Sequence, residues 1–405
     1  MKKKLILVVT IMFSLYCCQN KKQADVTIGE YVTVSVVDNI KGNLDNSELS
    51  LSYFVEKIDI IPLEFTDDCI LREIRKVVIH DDNIFIMEPW NRRTGKIYRF
   101  DMQGNFLNSI GSRGQGPQEL IELMDFSINE DINTVYMLDN AKQMVYHFDF
   151  NGRFIERVFI NQYADKLEYK NGLLYIFKDN PSVGKYLYNL IVRNIKGEIV
   201  NFYFPSKKYI SSNTRTVFTK TNETLLFNQP MDPIVYSLNS DTLNFAFFFD
   251  FGSYNFTPKE IEDTYMMRQK TLDIMLENER FSDIDHLCYV GKWIHFNAIY
   301  KIIPFSFLYD TSKDEIKVVK QLFDDIELMF TGSTTFYGQT KDAFIGVYEP
   351  ETSLNIHIEL LSNSEYLVNR PKERKEEQLR KIRSIMRGNK QEDMNPWILL
   401  YHLKQ

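Results

Sequence analysis

The sequence has few cysteines, four in 405 residues, and two of them stand side by side near the start as Cys17 and Cys18. Only Cys69 and Cys288 remain, and two cysteines cannot form the disulfide framework that holds small secreted domains together. They could pair in an oxidising compartment or stay apart as buried thiols, and the sequence leaves both alternatives open. A chain of this length can instead bury a core of ordinary size.

Glycine and proline are also scarce, at 17 and 12 residues, whereas the chain has 30 phenylalanines and 23 tyrosines. This balance favours a β-rich protein, because aromatic side chains suit pleated, half-buried surfaces. The chain also has no excess of basic residues over acidic residues. The formal net charge of −7 argues against a nucleic-acid partner, because proteins that bind nucleic acids usually carry a basic footprint.

The apolar run from Leu5 to Leu15 is too short for a membrane-spanning helix, which needs about 20 apolar residues. It follows the basic start Met1–Lys4, and together these features predict an export signal. The ending Leu15-Tyr16-Cys17-Cys18 resembles a bacterial lipobox, in which a cysteine is lipidated and becomes the first mature residue. Cys18 fits that role better than Cys17, because it has leucine three positions earlier and a small residue directly before it. The alternative is an ordinary secretory signal that is cut nearby.

These features divide the chain into a lipoprotein signal peptide (1–18), a tether with an N-terminal extension (19–50) and a folded domain (51–405). The predicted location is the bacterial cell envelope, with a lipid anchor in the outer membrane. The sequence does not distinguish the periplasmic from the outward side of that membrane.

Strong catalytic motifs are absent. The chain contains no GxSxG, no HExxH and, beyond the signal, no closely spaced cysteine pair. The glycine-rich stretch Gly111–Gly116 lies between two predicted strands, whereas a phosphate-binding loop needs a strand before it and a helix after it. We therefore expect a hinge between two blades there, and the sequence calls for no cofactor.

The folded domain repeats a short unit. Each copy is an alternating strand that ends at Asp or Asn, a turn that closes on glycine, and a second strand that begins at once. The three clearest copies are Tyr98–Gly104, Tyr146–Gly152 and Ile191–Gly197. Because a further aromatic-rich strand precedes each copy, the period is about 45 residues, which is typical of a four-stranded propeller blade.

Three weaker copies follow. Their predicted strands are Leu225–Phe227, Ile234–Leu238 and Leu243–Phe248; Trp293–Phe296, Phe305–Tyr309 and Ile316–Val319; and Phe344–Tyr348, His357–Leu361 and Trp397–Leu403. The remaining strand-like segment, Phe54–Phe65, is predicted to supply the outer strand of the last blade, because an open ring would expose a strand edge. The fold class is therefore all-β, a six-bladed β-propeller with four-stranded blades.

Two short helical insertions interrupt the strands. The first is predicted from Thr257, a suitable N-cap, to about Arg280, with Pro258 in its first turn. The second starts near Pro371 and ends at Gly388. Docking onto the flank of the propeller is the simplest role for each apolar stripe, and contact with a membrane or a partner is the alternative.

Part of the sequence resembles a known family. Gly111–Leu120, Met124–Ile128, Val135–Asp139 and Val145–Gly152 look like an NHL-type blade. More closely, the mature chain resembles the six-bladed β-propeller lipoproteins of Bacteroides and its relatives, in Ile61-Pro-Leu-Glu64 and in Asn395–Lys404 as well. Gln118 departs from the commoner Gly-Pro-Gly-Glu pattern of that family. The resemblance implies a fold and a compartment, but it implies no particular activity.

A ligand site can be proposed from propeller geometry. The link between two blades and the loop between the second and third strands open on the same face, so polar residues of these segments should form one rim. Arginine binds planar anions such as carboxylates in a forked geometry, and an aromatic side chain suits a sugar. The alternative is a solvated loop edge with Glu119 paired locally. The candidate residues are Trp90, Arg92, Arg93, Arg113, Gln115 and Glu119.

The sequence therefore predicts a non-catalytic, membrane-anchored binding or interaction module of the envelope. Its partners would be the membrane, through the lipid anchor, and a glycan, a peptide or an envelope protein. One alternative is a metal-assisted hydrolase or lyase, but Asp81 and Asp125 are too few to supply its ligands, and the run from Asp283 to Cys288 gives no required metal spacing. The other alternative is a subunit of an envelope assembly that docks through the second helix.

Overall fold

The computed structural model describes residues 26–27, 29–40, 47–88, 95–179, 187–205, 215–239, 242–263, 268–327, 331–332, 335–350, 376–377, 380, 384 and 394–405. Their strands form six four-stranded antiparallel blades arranged as a ring, which confirms the predicted β-propeller. Cys18 and the predicted strand His357–Leu361 lie outside the described residues.

The first three blades follow one another along the chain. Blade 1 consists of Lys76–His80, Asn83–Met87, Ile97–Asp101 and Phe106–Ile110. Blade 2 consists of Leu123–Asn129, Thr134–Asp139, Met144–Asp149 and Phe154–Phe159. Blade 3 consists of Lys166–Lys170, Leu173–Phe177, Tyr188–Asn194 and Ile199–Pro205.

The other three blades carry the additions to the pattern. Blade 4 consists of Phe218–Lys220, Leu225–Asn228, Ile234–Asn239 and Thr242–Asp250. Blade 5 consists of Asp285–Val290, Trp293–Tyr300, Ile303–Asp310 and Glu315–Val319. Blade 6 consists of Gly338–Gln339, Ala343–Tyr348, Trp397–Leu403 and Val55–Pro62.

The turn that defines the repeat is built by one acidic side chain. In blade 2, Asp149 Oδ1 accepts hydrogen bonds from the backbone N–H of Asn151 at 3.0 Å and of Arg153 at 2.8 Å. Gly152 closes the turn with φ +83°, a left-handed conformation that favours glycine. Asp101 makes the same pair of bonds in blade 1, so the repeat seen in the sequence is a repeated turn geometry.

The ring closes as the sequence predicts, with the N-terminal strand completing the last blade. Val55–Pro62 pairs with Trp397–Leu403, and Ile61 lies opposite Ile398. The hydrophobic core lies between the faces of neighbouring blades. The cluster between blades 6 and 1, for example, contains Ile61, Ile84, Ile345 and Ile398.

The N-terminal extension packs along the outside of the ring. Val26–Thr27 and Val32–Ser35 pair in parallel with the outer strand of blade 4, Thr242–Asp250. A short helix, Val37–Ile40, follows. Further along, Glu48–Ser50 joins Gln321–Phe323 and Thr331–Gly332 in a small three-stranded sheet, and Leu51–Tyr53 forms one 3₁₀ turn.

The first helical insertion lies in the link between blades 4 and 5, as the helices Pro258–Asp263 and Arg268–Glu277 after the 3₁₀ turn Gly252–Tyr254. Thr257 caps it: its Oγ1 accepts from the N–H of Glu260 at 3.2 Å, and Glu260 Oε2 accepts from the N–H of Thr257 at 2.7 Å. Of the second insertion, only residues 376, 377, 380 and 384 are described, and all four are helical. None of the helices in the described part of the chain is long and apolar enough to cross a membrane.

Candidate functional site

The ring encloses a cavity of about 690 Å³ on its axis. The first strand of every blade contributes to its wall; the six examples are Lys76, Asp125, Lys166, Thr219, His286 and Gly338. We call the face that carries the inter-blade links the linker face, and the opposite face the turn face. The inner strands start at the linker face, so residues just before them surround the mouth of the cavity on that side.

Charged side chains in the middle of the cavity are joined in a network of ion pairs. Lys76 Nζ lies 2.9 Å from Asp125 Oδ1 and 3.9 Å from Glu168 Oε2. Lys220 Nζ lies 3.4 Å from Glu168 Oε1 and 3.3 Å from Glu130 Oε1. Burial opposes the charge of Lys76, but the two carboxylates prevail and raise its pKa. This network links blades 1 to 4 and contains two ammonium groups and three carboxylates.

The mouth at the linker face differs, because three cationic residues line it and none of them forms an ion pair among the described residues. Arg75, Lys166 and Arg215 all line the cavity. Lys166 Nζ donates to the carbonyl oxygen of Arg215. Within the described part of the chain, none of the three forms an ion pair, and the two guanidinium groups form no hydrogen bond.

The pKa of Lys166 reflects the burial of its ammonium group at this mouth. Burial lowers the pKa of Lys166 to about 8; Asp125 and Asp285 oppose this change, whereas Arg75 and Lys76 reinforce it. A buried cation without a partner is unfavourable, and an anion that binds beside it removes the penalty. The mouth therefore has the electrostatic character of an anion site.

The carboxylate of Asp285 acts on the mouth without forming an ion pair with Arg75, Lys166 or Arg215. Asp285 Oδ1 accepts from the backbone N–H of Arg215 and of Thr216, both at 2.9 Å, so this oxygen is used in holding the start of blade 4. His286 Nδ1 donates to the carbonyl oxygen of Phe336 at 3.0 Å. Burial lowers the pKa of His286, although Asp285 opposes the effect.

An acidic group stands behind the mouth but does not line the cavity. The N–H of Asp179 donates to Asp165 Oδ2 at 2.8 Å. Burial, together with Asp165 and Asp283, raises the pKa of Asp179 to about 8, and burial raises that of Asp165 too. Asp179 is thus mostly protonated at neutral pH, whereas Asp165 interacts with Lys166 and Arg75, which oppose the effect of burial on its pKa.

The rim predicted from the sequence is only partly described. Trp90, Arg92 and Arg93 lie outside the described residues. The two loop classes do converge, because a β-carbon at Gly95 would lie 2.8 Å from Arg113 Cα. Arg113 and Gln115 are exposed on this edge, and neither lines the cavity.

Glu119 instead stabilises its own loop. Its Oε2 accepts from the N–H of Gly116 at 2.7 Å, and its carboxylate occupies the space that a side chain at Gly114 would need. Lys142 Nζ donates to the carbonyl oxygens of Gly116 at 2.9 Å and Glu119 at 2.6 Å. The loop is therefore rigid at its base, and Glu119 has a local partner.

The run from Asp283 to Cys288 is used in contacts between blades. Asp283 Oδ1 accepts from the N–H of Met231 at 2.6 Å, and Cys288 Sγ donates to the carbonyl oxygen of Gly338 at 3.3 Å. Cys69 and Cys288 are both buried and unlinked. Among the described residues, no three histidine, cysteine, aspartate or glutamate side chains are grouped so that they could hold a metal ion.

Sequence reasoning did not find Arg75, Lys166 and Arg215. A usable signal exists, because each stands at the start of an inner strand or within three residues before it. Their convergence follows from the ring and not from their spacing along the chain.

The fold and its channel define the class of this protein, a six-bladed β-propeller with a ligand-sized cavity on its axis. A Bacteroides fragilis protein described as exported shares the fold with 13% identity and a TM-score of 0.72, over 93% of this chain and 100% of that one. A member of the DUF4221 family from Bacteroides vulgatus shares it with 10% identity and a TM-score of 0.52, over 86% and 97%. No curated protein matches the sequence. The chain belongs to the family described as a domain of unknown function (DUF4934), whose sequence model matches residues 34–402.

Proposed function

We propose that this protein is an exported, non-catalytic binding module of the cell envelope, anchored through a lipid on Cys18, that holds an anionic ligand at the linker-face mouth of its channel. The observation that carries the proposal is that Arg75, Lys166 and Arg215 all line the cavity and that none of them forms an ion pair among the described residues. The basic start and short apolar run of the first 18 residues support export, as does the exported structural relative.

The ligand class follows from the chemistry of the mouth. Two guanidinium groups can each bind a planar carboxylate, or a phosphate, through two parallel hydrogen bonds. The ammonium group of Lys166 adds a point charge between blades 3 and 4. The cavity volume of about 690 Å³ falls within the range of roughly 300–1,000 Å³ that is usual for small-molecule sites. An acidic sugar or the carboxylate end of a peptide fits both the charge and the size.

The rim of Arg113 and Gln115, with Trp90, Arg92 and Arg93, is a second candidate for ligand contact. The convergence of Gly95 and Arg113 favours it, because it brings the two predicted loops together on the same face as the mouth. A ligand larger than the cavity would extend toward this rim, where an aromatic and further arginines would bind its outer part.

The test is a titration at constant ionic strength with glucuronate, inorganic phosphate and sulfate, each measured by calorimetry against chloride. We expect saturable binding of at least one anion, and a ten- to hundredfold loss for Arg75→Gln and for Arg215→Gln. That loss corresponds to about 1.5–3 kcal/mol for a hydrogen bond to a charged group.

Arg153→Gln is the matched control, because it removes the same charge from an exposed turn where Arg153 Nε lies 3.2 Å from Asp149. Its affinity should equal that of the parent. No saturable binding of any of the three anions, or equal losses in all three variants, would overturn the proposed function.

A further inference from the structure

We infer that the anchored propeller holds its turn face toward the lipid surface and its linker face, with the cationic mouth, away from it. This inference rests on the lipid anchor at Cys18 proposed above, and it goes beyond the ligand site. It assigns the turn face beside blade 4 as the surface that lies against the membrane.

The direction of the N-terminal strands fixes where the tether leaves the ring. Val26 pairs with Leu243, which directly follows the turn between the third and fourth strands of blade 4. Ser35 pairs with Asp250, where the outer strand ends at the linker face. Because the pairing is parallel, the N-terminal segment begins at the turn face and runs toward the linker face.

Burial holds this segment in place. Val34 and Val36 are buried in the cluster that contains Phe249 and Phe251, and Ile40 joins them from the short helix. The N–H of Val36 also donates to the carbonyl oxygen of Asp250 at 3.0 Å. Burial thus fixes residues 34–40, and the pairing of Val26 with Leu243 marks the point at which the tether leaves the blade.

The length of the tether favours the turn face. Eight residue steps separate Cys18 from Val26, and a fully extended chain covers at most ~3.3–3.6 Å per residue, or about 26–29 Å. Seven steps along the outer strand, from Leu243 to Asp250, span about 23 Å. A tether that ran back to the linker face would use nearly all its length along the blade. The turn face is reached without this detour, so the tether leaves it more freedom to lie flat on the membrane.

In this orientation the mouth of the channel faces away from the membrane and opens to the surrounding solution. The helices Pro258–Asp263 and Arg268–Glu277 lie in the link between blades 4 and 5 and so share that outward face. A soluble anionic ligand, or a partner that presents one, can reach the mouth without contact with lipid.

The experiment uses the full chain isolated with its own lipid anchor and reconstituted in phosphatidylcholine vesicles that carry a nitroxide quencher on the headgroup. One fluorophore is placed on Glu223→Cys, in the exposed first turn of blade 4 at the turn face. The other is placed on Lys259→Cys, in the exposed helix of the link after blade 4. Cys69 and Cys288 are buried, so the parent chain serves as the unlabelled control.

We expect the label at position 223 to be quenched several-fold more strongly than the label at 259. A flexible insert of 20 glycine and serine residues between Gln23 and Ala24 should remove the difference, because it frees the orientation. Stronger quenching at 259, equal quenching at both sites with the natural tether, or failure of the isolated chain to float with vesicles would overturn the inference. Flotation tests the anchor separately, and anion titration of the chain without its anchor tests the binding site.

Discussion

Replacing Ile398 by alanine should destabilise the entire ring by about 2–5 kcal/mol, the usual cost of removing a large aliphatic side chain from a core. Ile398 is 0% exposed and lies in the cluster between blades 6 and 1, and its strand pairs with Val55–Pro62. The total free energy of unfolding of a domain is about 5–15 kcal/mol, so the loss is a large share of it. Because this pairing closes the ring, the loss should affect every blade together.

The assay is urea unfolding followed by tryptophan fluorescence, and the expected result is a lower midpoint with an unchanged slope. Ile155→Ala is the matched control, since Ile155 is 42% exposed on the outer strand of blade 2 and its loss should cost less than about 0.5 kcal/mol. Equal effects of the two changes, or a partial transition confined to one variant, would refute the argument that the terminal strands close a single cooperative ring.

Deleting the whole C-terminal strand is a larger perturbation that tests the same ring closure. Deleting residues 396–405 removes six buried large apolar side chains: Trp397, Ile398, Leu399, Leu400, Tyr401 and Leu403. At about 1.5–3 kcal/mol each, their burial contributes roughly 9–18 kcal/mol, which equals or exceeds the stability of an ordinary domain. The truncated chain should show no cooperative transition, and melting like the parent would place the closure elsewhere.

The remaining predictions concern the channel and the repeated turn. Lys76→Met should cost about 3–5 kcal/mol in urea unfolding, because it leaves the buried carboxylate of Asp125 without its cation; Lys57→Met, at an exposed pair, should cost almost nothing. The affinity for an anion at the mouth should fall as the pH rises through about 8, where Lys166 loses its charge, and a flat profile between pH 7 and 9 would contradict that role. Gly104→Ala should destabilise more than Gly172→Ala, because both glycines have positive φ but only at Gly104 would a β-carbon overlap a carbonyl oxygen of blade 6; equal midpoints would contradict this.

The blades and their closure could be predicted from the sequence because each depends on local patterns. The turn residues at Asp101, Asp149 and Asn194 recur with a fixed spacing to glycine, and each forms the same bonds within four residues. The capping box at Thr257 is likewise local. The outer strand of blade 6 could be inferred because a closed ring needs a partner for its last strand.

The cationic mouth could not be predicted in the same way. Arg75, Lys166 and Arg215 are spread over three inter-blade regions, and only the curvature of the ring brings them to one opening. The docking of Val26–Thr27 and Val32–Ser35 was also missed, because the outer edges of the blades are similar and no sequence pattern selects blade 4. The rim around Arg113, with Glu119 among its residues, stays a prediction, and Glu119 also stabilises its own loop through its bond to Gly116.

The central claim is that the linker-face mouth binds an anion, and diffraction from crystals soaked in selenate tests it most directly. The account predicts an anomalous peak at the mouth, at hydrogen-bonding distance of about 2.7–3.2 Å from the guanidinium groups of Arg75 and Arg215 and from Lys166 Nζ, and its loss in Arg75→Gln. An empty mouth in crystals that bind selenate elsewhere on the protein would contradict the account.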